Sequence, residues 1–314
     1  MNKFVMNDFL FIKADKPMWP ASANIFAIKD DNGVILIDVG CGLKKFTKKL
    51  FQNLEIYGIN IKKIHTILIT HAHPDHMGAM STILEKINPK ILINTTEKNS
   101  ALNINLLNKS FDMDLVNKYF KSTNAAWDNK LNINEHFKFL CSMSELSSDC
   151  HISTIKDKDI IKLGNYKFQI LICPGHAPGH TCLYEVNHKY LLSGDIIGEK
   201  GVTWYSPSSG GVTKMLQSLE LIEKMPINFI LPSHGCKILN VQQRIDEIRS
   251  KIIQREMIIL NELRNKSMRI DEIVNLFFPN NLMKVIGLII VESHLQKLEK
   301  ENKIKRSNNI VKII

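Results

Sequence analysis

The stretch THAHPDH, residues 70–76, decides the fold of this chain. It places three histidines and an aspartate directly after the apolar run IHTILI at 64–69. A short apolar run rich in isoleucine predicts a buried strand, so the four polar side chains stand on a loop where that strand ends. Neutral imidazole and carboxylate bind zinc, iron and manganese in proteins. The loop therefore predicts a metal site.

Other candidate ligands occupy similar places further along the chain. The segment PGHAPGH ends at His180, LLSGD ends at Asp195, and LPSHG contains His234. Each lies where an apolar strand ends or is about to begin, and such strand ends can converge on one edge of a two-sheet sandwich. The candidate ligands are His71, His73, Asp75, His76, His180, Asp195 and His234. This set is large enough for two ions that share a carboxylate, and two adjacent ions can activate a bridging water for hydrolysis.

Strand and helix signals surround these ligands. Residues 24–40 (NIFAIKDDNGVILIDVG) predict a hairpin with a turn at Asn32-Gly33, and two more hairpins are expected within residues 159–195. Residues 95–155 lose the strand pattern and predict a mostly helical insertion that shapes the binding site. From about Val241 the pattern predicts three helices and a β-hairpin, which is the outline of a winged-helix module.

Composition sets wider limits. The 314 residues can form one large domain, or an ordinary domain with a small one, and the net charge of +10 could favour anionic partners but decides nothing alone. Six cysteines without a CxxC pair predict reduced thiols. The N-terminal stretch is too polar for a signal peptide, and no apolar run reaches the ~20 residues of a membrane span. We therefore expect a cytoplasmic protein with no membrane partner.

At the ligand positions the chain resembles the metallo-β-lactamase-fold superfamily, whose HxHxDH signature matches residues 71–76. The resemblance covers roughly residues 20–238 and implies an α/β (α+β) fold, a four-layer αββα sandwich. It implies two divalent ions, with zinc as the main expectation and iron or manganese as alternatives. By the resemblance one ion binds His71, His73 and His180, the other binds Asp75, His76 and His234, and Asp195 bridges them.

Supporting residues are also suggested near these ligands. Asp38, in LIDVG, matches a family position that supports the ligands, with turn capping as the alternative. His176 is a candidate for the same support or for a structural loop role. Tyr205 and Ser206 follow Asp195 on a loop and are candidates for contact with the substrate, or for a turn. Trp19, Trp127 and Phe137 either line the pocket or pack, and we interpret Cys236 as a small buried thiol.

The branch of the superfamily with the strongest resemblance carries a C-terminal winged helix, as in lactamase-β-like endoribonucleases. This predicts a catalytic domain at 1–240, including the insertion, and a winged-helix-like domain at 241–314. The motif order is also similar to that of hydroxyacylglutathione hydrolases, although their glutathione-recognition elements are not evident. β-Lactamases of the best-known subclass carry cysteine where this chain has Asp195, which argues against antibiotic hydrolysis.

The leading hypothesis is a binuclear metal-dependent hydrolase in which a metal-bridging hydroxide attacks a small ester, thioester or lactone, and Asp75 manages the proton. An alternative is a single-strand endoribonuclease or phosphodiesterase, although the C-terminal tail has no Trp or Tyr for base stacking. A further alternative is a mononuclear iron persulfide dioxygenase using His71, His180 and Asp195. A regulator without catalysis is disfavoured by the complete ligand set. We expect a small-molecule substrate, with RNA as the alternative partner; a homodimer is implied by the resemblance alone.

Overall fold

The computed structural model of the chain describes residues 5–6, 8–14, 22–123, 133–279 and 281–314. Trp19 and Trp127, two of the three aromatic candidates for the pocket, lie outside the described residues. All six cysteines are described and are free thiols. Within the described part of the chain, no helix combines the length and the apolar character needed to cross a membrane.

The first sheet carries the THAHPDH loop. In the described residues it contains seven strands, ordered β1 (Val5–Met6), β2 (Phe9–Ile12), β3 (Ile25–Asp30), β4 (Gly33–Ile37), β5 (Ile64–Ile69), β6 (Lys90–Asn94) and β7 (Ile152–Ile155). Strands β1 to β4 pair antiparallel, and β4 to β7 pair parallel. The predicted hairpin is β3–β4, but Asp30 pairs with Gly33, so Asp31 and Asn32 form the turn.

The second sheet carries the other candidate ligands. Its five strands in the described residues are β8 (Ile160–Leu163), β9 (Tyr166–Ile172), β10 (Thr181–Glu185), β11 (Tyr190–Gly194) and β12 (Phe229–Pro232), in the spatial order β12-β11-β10-β9-β8. The two hairpins expected within residues 159–195 are present as β8–β9 and β10–β11. Strands β11 and β12 are parallel, so the residues that follow them lie at the same edge.

The two sheets pack face to face around an apolar core. In β3, Phe26 and Ile28 belong to a buried cluster that also contains Phe168 and Leu192 of the second sheet. The alternate residue Ala27 faces the other way and belongs to a cluster shared with the helices outside the first sheet. This period-two alternation is expected for a strand buried on both faces. Helices cover both outer faces, which confirms the predicted αββα sandwich.

Helices provide the outer layers and most of the insertion. They are α1 (Lys44–Ile56), α2 (Pro74–Met77), α3 (Met80–Leu84), α4 (Thr95–Ala101), α5 (Ile104–Ser110), α6 (Met113–Thr123), α7 (Ile133–Ser142) and α8 (Gly211–Glu223). The described residues of this segment, 95–123 and 133–142, are mostly helical, as predicted. The end of the expected insertion is different, because residues 152–155 form β7 and pair with β6 in the first sheet.

The C-terminal part follows the second sheet directly. Its elements are α9 (Val241–Asn265), β13 (Met268–Arg269), α10 (Ile270–Phe277), α11 (Asn281–Lys300), β14 (Ile304–Ser307) and β15 (Ile310–Ile313). The helices and the β14–β15 hairpin are in the predicted order, and the sequence missed only the two-residue strand β13, which pairs with β15. Ile245, Ile248 and Ile252 of α9 share a buried cluster with Met215 and Leu219 of α8. The C-terminal part therefore packs continuously against the sandwich.

Candidate metal centre

The candidate ligands meet where the two sheets approach each other at one edge. The THAHPDH loop leaves β5, Asp195 directly follows β11, and His234 comes two residues after β12. A backbone hydrogen bond of 2.9 Å from Thr181 N to Thr70 O joins the sheets at this edge. The strand ends therefore bring side chains distant in sequence into contact, as the two-sheet arrangement predicted.

One group of possible ligands consists of three imidazoles. Atoms of His71, His73 and His176 lie within 4.8 Å of one another, and all three residues are buried. His176 Nδ1 lies 2.8 Å from the carbonyl oxygen of Trp204, which can only accept, so Nδ1 carries the hydrogen and Nε2 of the neutral ring is unprotonated. That Nε2 lies 3.0 Å from His73 Nδ1. The group contains no carboxylate, and we call it the histidine group.

A second group combines imidazoles with carboxylates. Atoms of Asp75, His76, Asp195 and His234 lie within 4.8 Å of one another. Asp195 Oδ1 is 3.3 Å from His76 Nε2, and Asp195 Oδ2 is 3.4 Å from His234 Nε2 and 3.5 Å from His176 Nε2. Asp195 therefore contacts both groups, which is the position expected of a shared ligand. We call this second set the carboxylate group.

His180 also lies at this edge. Its Nε2 accepts a 2.9 Å hydrogen bond from the backbone N–H of Asp195, as His176 Nε2 lies within hydrogen-bond distance of His73 Nδ1. Gly194 has φ +52°, and a Cβ there would lie 2.4 Å from His180 Nε2, so the backbone approaches the ring closely. The His176 and His180 rings each lie 4.9 Å, centroid to centroid, from the His71 ring. His180 as a metal ligand stays a prediction, and His176 is a second imidazole beside His71.

Asp38 lies directly behind the ligand His76. Its Oδ2 is 2.8 Å from His76 Nδ1, and its Oδ1 accepts from the backbone N–H of Thr70 at 2.9 Å. Asp38 is fully buried and has φ +58°, an unusual conformation for a residue other than glycine. The carboxylate accepts the Nδ1 hydrogen of the His76 ring, while Nε2 of that ring faces Asp75 and Asp195.

Glu97 is a residue that sequence reasoning missed. Its Oε2 accepts from the backbone N–H of Ala72 at 2.9 Å, and its Oε1 accepts from that of Gly179 at 2.7 Å. Burial raises the pKa of Glu97, whereas these two backbone bonds oppose the shift. The buried carboxylate ties the HxH loop to the PGHAPGH loop. In the sequence it reads as an ordinary acidic residue in the first turn of a helix capped by Asn94, so no local signal identified it.

The two groups differ electrostatically. Burial, reinforced by the neighbouring imidazoles, holds the pKa of His71 and of His73 well below the usual range. Burial also lowers the pKa of His234, but Asp195 and Asp75 outweigh it and raise that pKa to about 10. Burial would raise the pKa of Asp195, yet the facing histidines, His234 first, hold it well below the usual range. The histidine group is thus neutral, while the carboxylate group holds opposite charges together.

Several atoms of the centre have no hydrogen-bond partner although they are buried. They are His71 Nε2, His73 Nε2, His76 Nε2, Asp195 Oδ1 and His234 Nδ1. A buried polar atom without a partner costs free energy, so such atoms are rare unless they bind a ligand. Imidazole nitrogen and carboxylate oxygen suit a divalent ion of the zinc type. The residues of both groups together could hold two metal ions.

Tyr205 and Ser206, which the sequence suggested as substrate contacts, have hydrogen-bond partners of their own. Tyr205 is fully buried, and its hydroxyl bonds to His294 Nε2 at 2.7 Å and accepts from Arg255 Nη1 at 2.8 Å. Ser206 is also buried, and its hydroxyl donates to Ser209 Oγ at 3.0 Å. These partners occupy both hydroxyls in the structure, and contact of Tyr205 or Ser206 with substrate stays a prediction. Cys236, half-buried rather than buried, lies outside both ligand groups.

Comparison with known proteins agrees with this geometry. The sequence profile of the metallo-beta-lactamase superfamily matches residues 18–234. The chain is 24% identical over 311 residues to the probable metallo-hydrolase YqjP of Bacillus subtilis, covering 95% of this chain and 94% of that protein. It is 22% identical over 223 residues to the human acyl-coenzyme A thioesterase MBLAC2, covering 68% and 72% of the two chains. A metallo-beta-lactamase family protein from Thermus thermophilus has the same fold with a TM-score of 0.80 at 18% identity, over 98% of this chain and 99% of that one.

Proposed function

The chain belongs to the metallo-beta-lactamase superfamily and is a hydrolase of that superfamily, and from this premise we propose that it uses two metal ions to hydrolyse a small ester, thioester or lactone. The observation that carries the proposal is a pair of buried ligand groups in contact through Asp195. Two divalent ions held by these residues would activate water for attack and would stabilise negative charge on the attacked oxygen. Hydrolysis breaks the acyl C–O or C–S bond and releases an acid with an alcohol or thiol.

The proposed ligands follow the two groups. One ion would be held by His71, His73 and a third imidazole, either His180, which the family resemblance implies, or His176. The other would be held by Asp75, His76 and His234, and Asp195 contacts both groups. Zinc is the ion we expect, with iron or manganese as the alternatives, because all three accept imidazole and carboxylate. Asp38 orients His76, and the Trp204 carbonyl orients His176.

Asp75 is the proposed proton carrier. Its Oδ2 lies 3.2 Å from His234 Nε2, so the carboxylate faces the most accessible part of the centre. The His234 side chain is 14% exposed, more than the other ligands with which it is grouped. Substrate therefore reaches the centre from the His234 side. Asp75 is placed there to receive a proton from the attacking water and to pass it to the leaving group.

We propose that the C-terminal unit, residues 241–314, is a winged-helix domain that packs against the catalytic domain at 1–240. Its order of helix, strand, two helices and two strands, with a three-stranded sheet, supports this. Its only aromatic residues, Phe277 and Phe278, are partly buried against the core. They offer no platform for stacking bases, so the acyl substrate is favoured over RNA.

Metal analysis and a substrate panel test this function. We expect two ions per purified chain and hydrolysis of a thioester, ester or lactone with kcat/KM of about 10⁴ M⁻¹s⁻¹ or more. A labelled single-stranded RNA is the competing substrate in the panel. One iron per chain with oxygen consumption on a persulfide, or turnover of RNA alone, would overturn the proposal. The name of the human thioesterase supports beginning the panel with acyl thioesters.

A further inference from the structure

Three aromatic side chains cover one side of the centre, and we call Phe111, Phe137 and Trp204 the aromatic wall. Phe111 stacks on Trp204 with ring centroids 5.4 Å apart, and Phe137 packs on Phe111 at 5.4 Å. Phe111 and Phe137 come from the helical insertion, whereas Trp204 comes from the loop after Asp195. The wall therefore joins two segments that are distant in sequence.

The aromatic wall contacts the histidine group directly. The Phe111 ring stacks on His73 with centroids 4.5 Å apart and an interplanar angle of 28°. The Trp204 ring lies 5.6 Å from His73 and 5.8 Å from His176. A group bound against the wall would thus sit beside the proposed ligands.

Hydrogen bonds hold the wall in place from behind. Ser208, close after Trp204, donates its hydroxyl to the backbone oxygen of Ser110 at 2.9 Å. The Ser208 backbone N–H donates to Asp112 Oδ2 at 3.2 Å. Both partners flank Phe111, so the insertion and the loop are fastened to each other next to that ring. This attachment favours a preformed surface over a loose packing contact.

We propose that the aromatic wall binds the apolar acyl group of the substrate and makes the chain selective for acyl thioesters or esters with a longer hydrocarbon part. The proposal rests on the proposed function, because it places the scissile carbonyl at the centre. Phe111 is buried, while Phe137 and Trp204 keep part of their surface exposed. The three rings carry no charge that would stabilise a phosphodiester. Burial of a hydrocarbon chain against them is favourable, because it removes apolar surface from water.

A chain-length series on the metal-loaded protein tests the wall. The substrates are thioesters of N-acetylcysteamine from acetyl to octanoyl. In the native protein we expect kcat/KM to rise about fourfold for each methylene that becomes buried. Phe137→Ala flattens this rise, so that the ratio of octanoyl to acetyl kcat/KM falls by at least about tenfold. Phe137→Leu restores most of the dependence, since it keeps an apolar side chain.

Phe139→Ala is the matched control, because Phe139 lies on the same helix but is 55% exposed. It should keep the chain-length dependence of the native protein. The proposed role of the aromatic wall would be refuted if kcat/KM of the native protein did not depend on acyl chain length, or if Phe137→Ala showed the same dependence. Either result would leave the proposed hydrolase function intact.

Binding of the product acids tests the aromatic wall independently of catalytic turnover. Calorimetry with octanoate and acetate should show octanoate binding at least about tenfold more tightly, since several methylenes are buried, and Phe137→Ala should remove the difference. If that pattern holds and no thioester is hydrolysed, the failure belongs to the proposed function. Equal binding of the two acids contradicts the wall.

Discussion

Among the described residues, two polar clusters with buried histidines can be compared, and they differ in whether their polar atoms have partners. In the candidate metal centre, Nε2 of His71 and Nε2 of His73 are buried and have no hydrogen-bond partner. The second cluster lies between the sandwich and the C-terminal part and consists of Tyr205, Arg255, Glu256, His294 and Lys297; we call it the inter-unit cluster.

The inter-unit cluster satisfies its own polar groups. Tyr205 bonds to His294 Nε2, His294 Nδ1 lies 3.3 Å from Glu256, and Glu256 accepts from Lys297 Nζ at 2.7 Å. A cluster whose buried polar atoms all have hydrogen-bond partners stabilises the fold. Buried polar atoms without partners are destabilising unless they bind a ligand. The contrast shows why a buried histidine is by itself weak evidence for a metal site. Orphaned atoms in its surroundings are the stronger sign.

The largest expected effect comes from removing one histidine of each cluster. His71→Ala should lower metal content by about one ion per chain and reduce kcat by at least about a hundredfold, because a bound ion contributes several kcal/mol of transition-state stabilisation. His294→Ala should keep both ions and instead destabilise the fold by about 1–3 kcal/mol, since it leaves buried groups unpaired. Elemental analysis, steady-state kinetics and urea unfolding measure these effects. Two ions retained in His71→Ala would refute the ligand assignment.

A smaller effect is expected from the carboxylate behind His76. Asp38→Asn should weaken metal binding about 10–100-fold, as is usual when the partner of a metal-bound histidine is changed. Asp30→Asn is the matched control, because Asp30 bonds His65 Nε2 at 3.1 Å far from the ligand groups. That control should leave metal affinity unchanged in a competition titration with a chelator. Equal losses in both variants would mean that Asp38 acts on stability alone.

Two buried glutamates sharpen the comparison further. Glu97 accepts backbone N–H bonds from both ligand loops, and Glu185 accepts them from Lys167 and His188, remote from the centre. A Gln side chain offers one accepting oxygen, so each Glu→Gln change should cost about 1–3 kcal/mol of stability. Only Glu97→Gln should also lower kcat and metal affinity, because it loosens the loops that carry His73 and His176. If Glu185→Gln changes metal affinity equally, Glu97 has no special positioning role.

The sequence could predict the kind of centre but not all of its members. Ligand types and strand ends are local signals, so the HxHxDH loop, Asp195 and His234 were identifiable. His176 and His180 both follow glycine in PGHAPGH, and the choice depends on backbone geometry. The carbonyl of His180 accepts from Cys173 N at 2.8 Å, which fixes His180 at the start of β10, while His176 stays in the loop.

Long-range contacts explain what else the sequence did not predict. Tyr205 reads as a loop residue near Asp195, but its partner His294 is 89 positions away in α11. Residues 152–155 read as the end of an insertion, yet parallel pairing with β6 makes them a strand of the first sheet. Neither contact leaves a pattern within a short window. By contrast, the alternation in β3 and the turn before Gly33 are local, and the hairpin was predicted almost to the residue.

The smallest expected effect is a pH dependence specific to the inter-unit cluster. Burial lowers the pKa of His294, Glu256 opposes this shift, and Arg255 and Lys297 reinforce it. The unfolded chain therefore binds a proton at His294 more readily than the folded chain does. The stabilising contribution of neutral His294 is present above about pH 6.5 and is lost as the pH falls below that value, by at most about 1.4 kcal/mol per unit.

Urea unfolding of the native protein and of His294→Asn at pH 7.5 and 5.5 isolates this contribution, because acid effects on the metal ligands are common to both chains. The stability advantage of the native protein should shrink by about 1 kcal/mol at the lower pH. An advantage that grows on acidification would show that Glu256 outweighs burial and that His294 is charged in the folded chain. His294 would then resemble His234 of the carboxylate group, whose pKa is raised because Asp195 and Asp75 outweigh the effect of burial. The two clusters would in that case differ only in their buried atoms without hydrogen-bond partners.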